Sequence, residues 1–214
     1  RRIADTCRGW ITLKDLQAYK VVERAPLRGT YRDCEVLTAP PPSSGGFTLL
    51  NELGMLEAYD LRALGRGTAI TDHLMVEVMR RAYADRAEFA GDPAFTEIPA
   101  AALASVRYAS HRMVDIDPAR ATPSARVSHG DPLPYEPTET THFNVVDAAG
   151  NVVANTYTLN GRFGAKITVP GTGLLLNNEM DDFSANPGQG NLYGLVQSER
   201  NAVGAGRRPA SSMT

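Results

Sequence analysis

The sequence is short of cysteine, of long apolar runs and of any excess of one charge, and each shortage narrows what the chain can be. Two cysteines, Cys7 and Cys34, in 214 residues rule out a disulfide scaffold and a cysteine-rich zinc module, and leave open a single bridge between them. No stretch nears the roughly 18 apolar residues that a membrane-spanning helix needs, and mean hydropathy is −0.26, so no membrane span is expected. Basic and acidic residues number 22 and 24, leaving a net charge of −2. With a pI of ≈ 6.1 there is no cationic field to hold a phosphate backbone, and nucleic acid is not an expected partner. Gly65 and Gly67, and Gly188, Gly190 and Gly194, fit neither a phosphate loop nor a dinucleotide fingerprint and read as turn glycines. His73 and Glu77 stand four apart on one helix, a spacing metal sites use, but no second histidine or cysteine lies near them. The pair reads as solvated.

What remains is ample for a globular fold, since 43% of the residues are apolar. The chain opens on Arg1 rather than methionine and stops within the polar run Arg207 to Thr214. It therefore reads as a piece of a longer protein, with any targeting segment upstream. The pattern predicts a short helix over Asp15 to Tyr19 and strands over Val21 to Leu27 and Tyr31 to Ala39, split by a turn at Arg28-Gly29. After Pro40-Pro41-Pro42-Ser43-Ser44-Gly45-Gly46, where proline stops the strand and a serine can cap, a helix carries Leu49, Leu50, Leu53 and Leu56 on one face. A longer helix is expected from Thr68 to Ala90, closed by Gly91-Asp92-Pro93, with Met75, Met79, Ala82, Tyr83 and Phe89 at helical spacing. Its Arg80, Arg81 and Arg86 share the helix with Glu77, Asp85 and Glu88 and read as a salt-bridged outer face. Ser105 to Val114 predicts one more helix.

Five prolines between Ile116 and Glu139 mark a mobile linker. Charge thins after it: residues 140–214 carry five basic and five acidic side chains, and all the others lie in 1–139. The pattern there switches to period two. Thr141 to Asp147, the turn Ala148-Ala149-Gly150-Asn151 and Val152 to Leu159 predict a hairpin, and Lys166 to Leu176, broken at Pro170-Gly171, predicts two further strands.

The chemistry concentrates where the linker meets that hairpin, at Glu139-Thr140-Thr141-His142. A hydroxyl nucleophile at the mouth of a strand, behind a flexible linker, is what an amidohydrolase with an amino-terminal nucleophile requires. Cleavage of the Glu139–Thr140 bond would free an α-amine on the nucleophile itself. With a reference pKa of about 7.7–8.0, that amine can accept the hydroxyl proton without a histidine. Taken alone, two threonines opening a strand are ordinary β-branched residues.

Five blocks in order change that weight: Pro40 to Gly46, Thr140-Thr141-His142, Thr156-Tyr157-Thr158-Leu159-Asn160, Asn177-Asn178-Glu179-Met180-Asp181-Asp182-Phe183-Ser184, and Arg208-Pro209-Ala210-Ser211-Ser212-Met213. Together they closely resemble the γ-glutamyltransferase (γ-glutamyltranspeptidase) family. The resemblance implies an α+β fold, the αββα sandwich of amino-terminal nucleophile hydrolases, present here as a fragment. It implies that residues 1–115 are the C-terminal part of a large subunit, 116–139 a linker ending at the self-cleavage site, and 140–214 the N-terminal part of a small catalytic subunit. The two subunits would pair after cleavage at Glu139–Thr140.

Residue by residue, the resemblance makes Thr140 the nucleophile and Thr158 the threonine that holds it by hydrogen bonding. Asn160, Glu179 and Asp182 correspond to acceptors for the donor's α-ammonium group, a role two carboxylates and an amide suit. Ser211 and Ser212 correspond to hydroxyl donors for its α-carboxylate, and Tyr193 to a lid over the bound glutamyl group, with Gly188, Gly190 and Gly194 allowing its motion. The implied donor is glutathione or another γ-glutamyl amide, the acceptor an amino acid, a peptide or water, and no metal or organic cofactor is implied. The implied location is periplasmic or secreted. The family's oxyanion-hole glycines would fall after Thr214 and its carboxylate-binding arginine before Arg1, so the fragment alone is not expected to be competent. Two alternatives stay open. One is an acylase of the same fold acting on glutaryl or cephalosporin-type donors, against which two carboxylates facing an uncharged chain would count. The other is a non-catalytic or unprocessed homologue that only binds γ-glutamyl compounds.

Overall fold

The structure, a computed structural model, describes residues 1–129, 141–186 and 188–213. In chain order the elements are α1 (Arg2–Thr6), α2 (Leu13–Ala18), β1 (Leu27–Tyr31), β2 (Cys34–Thr38), α3 (Gly45–Leu56), α4 (Leu61–Leu64), α5 (Ala69–Phe89), α6 (Ala100–Leu103), α7 (Val106–Arg112), β3 (Thr141–Val146) and β4 (Val152–Tyr157). Short 3-10 turns follow at Ser124–Arg126, Glu179–Asp182 and Glu199–Asn201. The class is α+β, and among the described residues the strands form two separate antiparallel pairs, β1 with β2 and β3 with β4. The described residues fold as two compact units, one of residues 1–25 and 141–179, the other of residues 26–129 and 180–213.

The larger unit is organised by α5. Thr68 caps it by accepting from the Thr71 amide, and Ala90 ends it in extended backbone, as its sequence predicted. One apolar cluster joins Leu74, Val78 and Ala82 of α5 to Met55, Leu56, Ala109 and Ile116. A second gathers Phe47, Ala90, Ala100, Leu103 and Ala210. The charged residues of α5 are not an outer face. Glu77, Arg81, Asp85 and Arg86 are all buried, whereas Met75 is exposed. Each buried charge has specific partners. Arg81 donates to Glu77 at 2.7 Å and pairs with Asp115 at 2.9 Å, and Asp85 accepts from Asn51, Tyr108 and Arg112 at 2.8, 2.8 and 3.0 Å. His73 and Glu77 are not a solvated pair either, since His73 Nε2 meets the Asp117 carbonyl at 2.9 Å and Glu77 serves the arginines.

The start of the expected linker is packed rather than mobile. Ile116 and Val127 are buried. Thr122 is held at three atoms: its amide donates to Glu77, its carbonyl accepts from Arg80 and its hydroxyl accepts from Arg81. Residues 130–139 of that linker lie outside the described residues.

The first strand pair turns at Arg32-Asp33, not at Arg28-Gly29, with Arg32 taking a φ of 54°. Gly29 sits within β1 because a Cβ there would come 2.5 Å from Leu50 Cδ2, so the glycine lets the strand press on α3. In the smaller unit β3 and β4 form the expected hairpin, with Val145 opposite Val153 and Val146 opposite Val152. Its turn is built on Asp147, whose carboxylate accepts from the Ala149 and Asn151 amides at 2.9 Å each. Lys166 to Leu176 forms no strands. It folds back as a loop with a single bridge, Thr168 to Leu175, around Pro170 to Gly173. Cys7 and Cys34 are both free thiols.

Candidate active site

Thr140 and Glu139, the expected nucleophile and cleavage position, lie outside the described residues. In the smaller unit, Thr158 directly follows β4, and its Oγ1 accepts from the Asn160 amide at 2.9 Å. That bond folds the chain sharply enough to hold Asn160 at a left-handed φ of 66°, a conformation asparagine tolerates. Asn160 is buried and donates from Nδ2 to the Asn178 carbonyl, while the Asn178 side chain accepts from the Gly161 amide at 2.9 Å and its own amide donates to the Leu159 carbonyl. The loop before Glu179 is thereby tied to the strand end that carries Thr158. Asn177 Oδ1 accepts from the Glu179 amide at 3.0 Å, fixing where the 3-10 turn starts. This local order explains why the block is rich in asparagine: short amides satisfy a loop backbone that has no ladder to join.

In the larger unit, Asp182 ends that 3-10 turn, and its carbonyl accepts from the side chains of Gln197 and Asn201 at 3.1 and 2.6 Å. The Tyr193 loop hangs on Asn191, whose Oδ1 accepts from the amides of Tyr193 and Leu195 at 3.0 Å each. Asp181 accepts from the Leu192 amide, which ties this loop to the turn carrying Asp182. A Cβ on Gly190 would come 2.8 Å from Gly194 Cα, so this glycine serves a close backbone approach. Its expected role in motion is a different one.

The two serines are positioned by the loop before α3. Ser44 occupies the N-cap position of that helix, yet its hydroxyl does not cap it. Instead the Ser44 hydroxyl and amide both donate to the Ser211 carbonyl at 2.7 Å, and the Ser43 hydroxyl donates to the Met213 carbonyl. Arg86 of α5 reaches the same place, donating from Nε to Ser44 Oγ at 2.8 Å and from Nη2 to Ser212 Oγ at 2.6 Å. Burial lowers the basicity of Arg86, and the Tyr83 side chain and the Asp182 carboxylate act against that. The arrangement presents hydroxyls backed by a cation, which is the chemistry of an anion site.

Sequence reasoning missed both Ser44 and Arg86 as parts of this cluster. A signal was available for Arg86. Its neighbours three and four residues away are Ala82, Tyr83, Phe89 and Ala90, so it lies on the apolar stripe, while Asp85 and Glu88 point elsewhere. Among the described residues no group of three or more histidines, cysteines or carboxylates could hold a metal ion. No helix among them is long and apolar enough to cross a membrane.

The chain is 49% identical over 206 residues to the glutathione hydrolase proenzyme of Escherichia coli, covering 96% of this chain and 36% of that protein. It is 42% identical to an acylase proenzyme of a Pseudomonas species, over 85% of this chain and 32% of the other. It thus spans about a third of the length of these relatives. Among solved structures it matches the γ-glutamyltranspeptidase of Helicobacter pylori with a TM-score of 0.56 and 39% identity, over 59% of this chain and 37% of that one. A cephalosporin acylase of Bacillus halodurans matches with a TM-score of 0.77 and 25% identity, over 99% of this chain and 36% of that one. A family profile described as gamma-glutamyltranspeptidase covers residues 2–214. With that coverage and nearly half the residues identical to a curated relative, the chain belongs to the γ-glutamyltranspeptidase family.

Proposed function

We propose that the protein containing this chain cleaves itself between Glu139 and Thr140 and then transfers the γ-glutamyl group of glutathione or a related amide to water, an amino acid or a peptide. The observation that carries this reading is the extent of the similarity to a glutathione hydrolase proenzyme, which runs over 96% of the chain and so includes residues on both sides of that bond. In the reaction, Thr140 Oγ attacks the γ-carbonyl while its α-amine takes the hydroxyl proton. The amine of the donor's remainder leaves with a proton, and the γ-glutamyl ester is then resolved by the acceptor. Thr158 holds the nucleophile. Asn160, Glu179 and Asp182 receive the α-ammonium group, Ser211 and Ser212 the α-carboxylate, and Tyr193 closes over the ester.

Two features of the structure support the larger picture. Val145, Val146, Val152 and Val153 are exposed, and successive strand residues face opposite ways, so the hairpin is apolar on both faces. Such a hairpin suits an inner position in an αββα sandwich, with a layer against each face. Each compact unit also draws on chain from both sides of Thr140, as in the Ser44–Ser211 contacts, which supports large and small subunits that stay paired after cleavage. Residues 1–139 and 140–214 would belong to the large and the small subunit respectively, and the family resemblance favours a periplasmic or secreted location. The acylase matches favour a second reading, hydrolysis of glutaryl-type amides at the same nucleophile.

Mass analysis of the purified full-length protein should show a subunit beginning Thr140-Thr141-His142-Phe143, and Thr140→Ala should leave one uncleaved chain without turnover. An active enzyme with an intact Glu139–Thr140 bond would refute the proposal. Faster turnover of glutaryl than of γ-glutamyl anilides would select the second reading.

A further inference from the structure

We infer that Arg86 is a positioning residue for the donor's carboxylate: from behind Ser212 it fixes that serine as a hydroxyl-proton donor toward the bound anion. The inference rests on the proposed role of Ser211 and Ser212. A guanidinium has five N–H donors and no lone pair to offer, so the directions of its hydrogen bonds are not in question. Ser212 Oγ must accept from Arg86 Nη2 at 2.6 Å, and Ser44 Oγ must accept from Nε at 2.8 Å. Ser44 then spends its own proton on the Ser211 carbonyl at 2.7 Å. Ser212 is only half-buried, and its proton is left to point at whatever occupies the site. A hydroxyl that already accepts a charged hydrogen bond is a stronger donor, because the bonds polarise one another. The chain from Arg86 through Ser212 therefore ends in a donor suited to a carboxylate.

Burial sharpens the point. Arg86 is 2% exposed, and its Nη1 has no acceptor among the described residues. Its two hydrogen-bonded partners there are neutral hydroxyls, and no carboxylate lies in ion-pair contact with it among the described residues, although the Asp182 charge acts on it through space. A cation kept in this setting costs stability that an apolar residue of similar volume would not. The Tyr83 ring, 6.0 Å from the guanidinium carbon, offsets part of that cost. What the charge supplies is electrostatic bias toward the anion that Ser212 is proposed to meet.

The test uses the processed full-length protein and two competitive inhibitors of γ-glutamyl anilide hydrolysis, L-glutamate and 4-aminobutanoate. The second is the first without its α-carboxylate. Arg86→Lys keeps the charge but loses the two-pronged fit. It should raise the inhibition constant of glutamate about 10-fold, the size of one lost charge-assisted contact, and leave that of 4-aminobutanoate unchanged. Ser212→Ala should do the same, and the double variant should be no worse than Ser212→Ala alone, because the arginine acts through the serine. Equal weakening of both inhibitors by Arg86→Lys, or additive losses in the double variant, would overturn the inference. If Ser212→Ala matters and Arg86→Lys does not, the inference fails while the carboxylate subsite stands. If Ser212→Ala leaves glutamate unaffected, the subsite fails and takes the inference with it. Ser44→Ala covers the case in which Arg86→Lys does not mature. It retains the cation but removes one of its anchors, and should give a smaller loss confined to glutamate; an unchanged glutamate constant there also overturns the inference.

Discussion

Glu77→Gln tests whether the buried charges of α5 hold the segment that leads to the cleavage site. Glu77 is 1% exposed. Its Oε1 accepts from Arg80 at 2.5 Å and from the Thr122 amide at 3.2 Å, and its Oε2 accepts from Arg81 at 2.7 Å. Burial alone pushes this carboxyl up, but the hydrogen bonds from Thr122, Arg81 and Arg80 outweigh burial and bring it from 4.5 down to about 2. That displacement corresponds to about 3 kcal/mol, or about 2 kcal/mol once solvent screening of the more open Arg80 is allowed for. The amide also leaves Arg81 buried with Asp115 as its remaining carboxylate, and removing one partner of a buried pair costs about 3–5 kcal/mol. A loss near 3 kcal/mol at neutral pH is expected.

The pH dependence has a definite sign. A carboxyl whose folded-state value is depressed contributes its full stability above the unfolded value, near 4.5, and loses it as pH falls toward about 2. Urea unfolding of the full-length protein and of Glu77→Gln should therefore differ by about 3 kcal/mol at about pH 7 and converge as the buffer drops below about pH 4. Self-cleavage should slow in the variant, because the same carboxylate anchors Thr122 on the way to Glu139. A difference under about 1 kcal/mol at neutral pH, or one that stays constant into acid, would show that the arginines find equivalent partners and that the reasoning is wrong.

Three further outcomes can be checked. Asp182→Ala should weaken γ-glutamyl donors by about 10- to 150-fold relative to glutaryl analogues lacking the amine, as read from kcat/KM; equal losses would assign Asp182 to the fold. Tyr193→Ala should lower the transfer-to-hydrolysis ratio and leave self-cleavage intact, since the backbone of its loop is held by the side-chain oxygens of Asn191 and Asp181; a lower melting temperature with an unchanged ratio would make Tyr193 a packing anchor. Burial raises the Glu52 carboxyl from 4.5 to about 7, so ionising it opposes folding as pH rises from near 4.5 through 7, and Glu52→Gln should stabilise the protein by about 2 kcal/mol at about pH 8 and by nearly nothing at about pH 4; no gain in base would refute it.

The features legible in the sequence are those fixed by neighbours along the chain. Thr68 and Ala90 bound α5 because capping and the Gly91-Asp92-Pro93 stop are local, and the β3–β4 hairpin follows from period two around Asp147 to Asn151. The errors share a cause, which is contact with distant chain. The β1–β2 turn moved to Arg32-Asp33 because Gly29 is needed against Leu50, some twenty residues on. The linker's first residues are ordered because Thr122 meets Arg80 and Arg81, more than forty residues earlier.

The candidate site divides along the same line. Asn160, Glu179, Asp182, Ser211 and Ser212 were named from three of the sequence blocks, because a family pattern picks out the residues expected to face a ligand. Such a pattern is silent about what stands behind them. Ser44 was visible within a quoted block in which a serine was read only as a helix cap, and its 2.7 Å bond to the Ser211 carbonyl gives it a different use. Arg86 was assigned to the surface because its helix holds as many acids as bases in that stretch. Helical geometry argues the opposite: an arginine flanked at three and four residues by Ala82, Tyr83, Phe89 and Ala90 must either face solvent across an apolar stripe or enter the core with a partner waiting. Its 2% exposure decides for the core, and Ser44 and Ser212 are the partners. A charged side chain on the apolar stripe of a long helix is thus the sign, readable in sequence, that polar partners wait for it in the core.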